Sequence, residues 1–138
     1  MNNVIVSRTS ITILRIMLSG IFLVAGFNHL LVPQGVAKRL MASPMYEFFP
    51  AFIDPKVLVV AVGIGMIIGG LLLISNRFTR PAAILLLVLL VPITISVQLQ
   101  GLETMGPLFK NVAIAGALLF FIINQFDKNN EFNYEKKS

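Results

Sequence analysis

Four runs of apolar residues, each near the length that crosses a lipid bilayer, constrain this chain more than anything else in it. They extend over about 11–32, 57–74, 81–97 and 108–126. A hydrocarbon core of about 30 Å takes roughly 20 helical residues, and somewhat shorter runs are tolerated. Open strands are excluded at that depth, because their backbone groups would go unpaired in lipid. With 57% of its 138 residues hydrophobic and only 12% charged, the chain also lacks the polar surface of a soluble domain. The expectation is an all-α integral membrane four-helix bundle, a single transmembrane domain over residues 1–126. A polar tail, residues 127–138, follows it.

The first run is longer than the apolar part of a secretory signal, and no small-residue cleavage site follows it, so it is expected to remain. Orientation follows from the basic residues. Arg8, Arg15, Arg77, Arg80, Lys128, Lys136 and Lys137 fall on one side, and Lys38, Arg39, Lys56 and Lys110 on the other. Seven against four places the N- and C-termini in the cytoplasm of a cell whose plasma (inner) membrane holds the protein. The connection between spans one and two, Pro33 to Lys56, is then a long external loop. Its mixture of aromatic and basic residues, punctuated by Pro44, Pro50 and Pro55, favours a segment lying in the headgroup layer, with a short interfacial helix, over an unstructured loop.

Composition also removes several chemistries. There are no cysteines, so thiolate metal sites, iron–sulfur clusters and thiol relays are excluded. One histidine rules out a two-histidine metal site within one subunit. The net charge of +5 does not indicate nucleic acid here, because the basic residues sit at span ends, where they act as topology signals and lipid contacts.

Two spans carry internal features. Span two reads AVGIGMIIGG, in which Ala61, Gly65 and Gly69 recur every four residues and form a helix-packing face. Gly63 to Gly69 also spells a glycine pattern seen in dinucleotide loops. That motif needs a preceding strand and a loop, which mid-membrane sequence cannot supply, so packing is the better reading. Span three contains Pro92. It removes one backbone hydrogen bond, and Thr94 or Ser96 could re-pair the freed carbonyl. A kink there is expected to shape the bundle rather than to open a cavity.

The only histidine lies in AGFNHLLVP, where span one meets its first proline. Arg15, Ser19, Phe22, Gly26 and His29 are spaced 4, 3, 4 and 3 and so share one helical stripe. Small and polar residues on that stripe point it into the bundle. Asn28, Gln98, Gln100, Glu103, Lys110 and Asn111 are the other polar residues near the external edge. Together they define a candidate polar pocket with an apolar floor. The ligand-binding candidates are Asn28, His29, Lys110, Asn111 and Arg15. The competing reading is that these side chains are interfacial anchors, with Arg15 and Lys110 reaching out to water.

The runs RIMLSGIFLVAGFNHLLVP, GGLLLI, RFTRPAAILLL and LFKNVAIAGALLFF, in that order, resemble the DoxX family of small four-helix membrane proteins. The resemblance implies the four-helix fold. It also implies association with redox systems, since the family is named for a membrane subunit associated with a thiosulfate:quinone oxidoreductase. Two departures stand out. Family members often have lysine in G-x-x-K-L where this chain has His29 in GFNHL, and many carry a glutamate where this chain has Met66.

The function expected is a non-catalytic membrane subunit that docks a redox partner protein and holds a quinone. His29, with Asn28, Lys110 or Asn111, would bond the quinone carbonyls. No redox centre is intrinsic to the chain. The alternatives are a structural module that binds membrane lipids and partner proteins, possible also as a homo-oligomer, and, less favoured, a transporter of a small amphiphile. A transporter would want an intramembrane acid, and the spans have none. No constellation of residues supports an enzyme acting alone.

Overall fold

A computed structural model describes residues 6–43, 46–47, 52–98 and 105–124, apart from the side chains of residues 96–98. Five α-helices run in order: α1 (Arg8–Leu31), α2 (Pro33–Met41), α3 (Pro55–Ile74), α4 (Thr79–Gln98) and α5 (Met105–Asn124). The described residues contain no strand. Helices α1, α3 and α5 are each long and apolar enough to cross a membrane, while the apolar stretch of α4, Thr79–Ile95, is shorter. The tail, and Gln100 and Glu103 of the external edge, lie outside the described residues.

Helix starts follow local chemistry. Ser7 caps α1, its hydroxyl accepting from the Ser10 amide at 3.1 Å. Asp54 caps α3, its carboxylate accepting from the Lys56 amide at 2.8 Å, and Pro55 occupies the first helical position. Each cap occupies an amide that has no partner within the helix. Asp54 therefore has a structural task at the head of α3 in addition to being an exposed loop charge.

Pro33 separates α1 from α2. Proline disfavours helical geometry in the residue before it, and Val32 adopts φ −131° and ψ 58°. The chain turns there and starts α2 at once, with Pro33 at its first position. The α2 helix is amphipathic: Ala37 and Leu40 are buried, and Lys38 and Arg39 are exposed. The expected short helix in this connection is therefore present, and its apolar side packs mainly on α3.

Between α3 and α4 only four residues intervene. Asn76 takes a left-handed backbone (φ 57°) and lets the chain reverse. The α3 helix packs against both α1 and α4, and α4 packs against α5. A core of Leu18, Phe22, Met66, Leu73, Leu86 and Phe121 fills the space between them. The outer faces are apolar too: Met17 is 66%, Val24 71% and Ile123 73% exposed. A bundle apolar within and without is matched to lipid, and the chain is a membrane protein.

Glycine decides how close the helices come. A Cβ on Gly26 of α1 would lie 2.8 Å from the Gly63 carbonyl of α3, and a Cβ on Gly63 would lie 3.0 Å from the Gly26 carbonyl. Nothing larger than hydrogen fits at this crossing. On another side of α3, Gly65 and Gly69 receive Leu89 and Leu86 of α4. Ala61, the third residue of that stripe, is exposed. The α3 helix thus presents two glycine faces, Gly63 and Gly70 to α1, and Gly65 and Gly69 to α4.

Candidate functional site

The stripe read from span one is the buried face of α1. Arg15, Ser19, Phe22, Gly26 and His29 are all buried. His29 is 9% exposed and sits in the last turn of α1, where it crosses α3 over Gly63. A Cβ on Gly63 would come within 2.8 Å of the His29 Cβ, so the imidazole has room only because that residue is glycine. The ring is oriented from its own helix: His29 Nδ1 lies 2.6 Å from the Ala25 carbonyl oxygen. A carbonyl oxygen only accepts, so Nδ1 is the donor and carries a proton.

His29 opens onto a cavity of about 270 Å³. Val36 and Leu40 of α2, Val59 and Val62 of α3, and Val88 and Pro92 of α4 form much of its wall. Among the described residues, His29 is the one polar side chain in the lining. Val88, 61% exposed, and Pro92, also exposed, mark the side on which the cavity reaches the outer face of the bundle. An engineered cavity of about 150 Å³ holds benzene, so this one has room for a substituted single ring but not for a long chain as well. Any tail would leave through the open side.

Pro92 is part of this wall, so the proline contributes to a cavity as well as to the helix course. The helix continues through it to Gln98. Pro92 has no N–H for the Val88 carbonyl. The Thr94 hydroxyl does not take that role: it donates to the Leu90 carbonyl at 2.7 Å. Ser96 lies outside the described side chains.

The other candidates are dispersed. Asn28 and Lys110 are exposed. Asn111 is buried, and its amide donates to the Thr94 hydroxyl at 3.0 Å, tying α5 to α4. Arg15 is 4% exposed, with its guanidinium carbon 5.5 Å from the centre of the Phe121 ring on α5. The ring's negative face offsets part of the cost of burying that cation. Arg15 and His29 share a face but lie about 21 Å apart at 1.5 Å per residue, too far to hold one small headgroup. Of the five ligand candidates, His29 alone lines the cavity. The polar pocket expected at the external edge is, among the described residues, an apolar cavity with one imidazole in its wall.

Sequence reasoning read Gly63 as a packing glycine without placing it under His29, and it missed the contribution of α2 to the cavity. The signal for Gly63 was available: Gly63 and Gly70 are seven residues apart and so share a helix face. What was lacking was the knowledge that α1 brings His29 and Gly26 to it. No group of three or more His, Cys, Asp or Glu side chains that could hold a metal occurs among the described residues.

A family model described as DoxX matches residues 10–99. The match takes in α1 to α4 and with them the whole cavity wall. Helix α5, with Lys110 and Asn111, falls beyond it. No curated protein and no solved structure matches the chain.

Proposed function

The chain belongs to the DoxX family, and from that premise we propose that it is a non-catalytic membrane subunit whose His29 cavity holds the ring of a quinone-type amphiphile. The observation that carries the reading is one buried imidazole in an otherwise apolar cavity that opens on the lipid-facing side of the bundle. Sites for small hydrophobic molecules have this form, largely apolar with few polar groups to orient the occupant. The ring would sit against His29, between α2, α3 and α4, and the tail would lie in lipid. A bound quinone supplies the redox-active group. The chain's own residues bind it, orient it and keep water away.

On this reading the protein sits in the plasma (inner) membrane with four spans, α1, α3, α4 and α5, and both termini in the cytoplasm. The seven-to-four distribution of basic residues supports that orientation. The α2 helix lies at the external surface with Lys38 and Arg39 among headgroups. A redox partner protein would supply or remove electrons, since a chain with no cysteine and one histidine has no thiol, iron–sulfur or two-histidine centre of its own.

Mass spectrometry of small molecules co-purifying in nanodiscs tests the proposal, with His29→Ala and an unrelated four-helix membrane protein as comparisons. A quinone or quinol enriched over the unrelated protein and lost from His29→Ala is the expected result. Equal background lipid in all three would leave the alternative, a structural module that binds lipid and partner proteins.

A further inference from the structure

We propose that the His29 cavity recognises a hydroxyl: it takes the reduced, quinol-class member of a quinol/quinone pair in preference to the carbonyl-bearing quinone. The inference rests on the reading above, that the cavity holds a single-ring amphiphile, and adds which oxidation state fits it.

The argument is one of donors and acceptors. The proton on Nδ1 is committed to the Ala25 carbonyl at 2.6 Å. In the neutral ring the other nitrogen, Nε2, then has a lone pair and no proton. Among the described residues Nε2 has no hydrogen-bond partner, although the side chain is nine-tenths buried and lines the cavity.

Among the described residues, none of the remaining lining side chains carries a polar hydrogen. Among the described side chains the wall therefore offers one acceptor, Nε2, and no donor. A quinone carbonyl set against Nε2 would bring two lone pairs together and leave both unsatisfied. A ring hydroxyl at the same place donates to Nε2 and completes the chain from ligand through imidazole to the Ala25 carbonyl. A buried acceptor left unmet costs enough to separate the two ligands by roughly tenfold in affinity.

A single histidine makes the test direct, because every imidazole nitrogen signal from a tag-free chain belongs to His29. Protein labelled with ¹⁵N-histidine is placed in nanodiscs, without oxygen. It is titrated separately with tetramethylhydroquinone and tetramethylbenzoquinone. The expected spectrum is the neutral tautomer with its proton on Nδ1. The expected titration moves the Nε2 signal at roughly tenfold lower concentration of the hydroquinone than of the quinone. A proton on Nε2, or equal or tighter binding of the quinone, overturns the hydroxyl preference and leaves the cavity as a binding site. If neither compound moves the His29 signals, the cavity reading itself fails and the preference fails with it.

Discussion

Gly63 shows how much can turn on one missing side chain. It lies under His29 and against the backbone of Gly26, and an added methyl would meet both at 3.0 Å or less. Gly63→Ala and Gly26→Ala should each lower the stability of the detergent-solubilised protein by about 1–3 kcal/mol, the usual cost of overpacking a well-fitted interface. Gly20, where an added methyl would have nothing within 4 Å, should behave oppositely. There alanine should be neutral or stabilising by up to about 1 kcal/mol, since it is the better helix former. Thermal unfolding of the three variants checks this, and equal losses would contradict the close crossing. His29 itself was legible in the sequence, because the 4, 3, 4, 3 spacing of its stripe depends on α1 alone. Gly63 was not, because its role depends on which residues of another helix it meets. The stripe Ala61, Gly65 and Gly69 illustrates the same limit: regular spacing identified a face, but Ala61 falls outside the contact with α4.

At the scale of the elements, the four apolar runs became α1, α3, α4 and α5, with ends displaced by a few residues where caps and prolines act. Asp54-Pro55 is a helix-start signal in the sequence, yet in a proline-rich loop it also reads as plain loop chemistry. Less legible was the use of α2. Its sequence indicates a short amphipathic helix, but nothing local shows that Val36 and Leu40 would close one side of a cavity. Besides packing, a polar link joins α4 to α5, the Asn111 amide on the Thr94 hydroxyl. A double-mutant cycle with Asn111→Ala and Thr94→Val should give a coupling of about 0.6 kcal/mol, and no more than about 1.7, as for other polar pairs between membrane helices. A coupling of zero would mean that packing alone holds α5 to α4.

For the molecule as a whole, the proposed orientation has an even number of crossings and both termini on the cytoplasmic side, and it can be tested directly. The chain has no cysteine, so single cysteines can be introduced and labelled without background. With a membrane-impermeant maleimide added from outside intact cells, Lys38→Cys and Lys56→Cys should label, and Ser7→Cys and Arg77→Cys should not. The reverse pattern would invert the protein and move the His29 end of α1 to the cytoplasmic side. The central claim, that the cavity beside His29 takes a ring, is tested most directly by filling it. Val59 lines the cavity and is 4% exposed, and Val59→Phe would place a ring of the protein's own there while leaving residue 29 a histidine. Ligand that binds only the folded protein raises its stability by about 2.7 kcal/mol at a hundredfold excess over Kd. Thermal unfolding with and without tetramethylhydroquinone is therefore the decisive measurement. The ligand should raise the unfolding temperature of the wild type by several degrees and leave Val59→Phe unmoved. An equal rise in both, or in neither, would contradict the central claim.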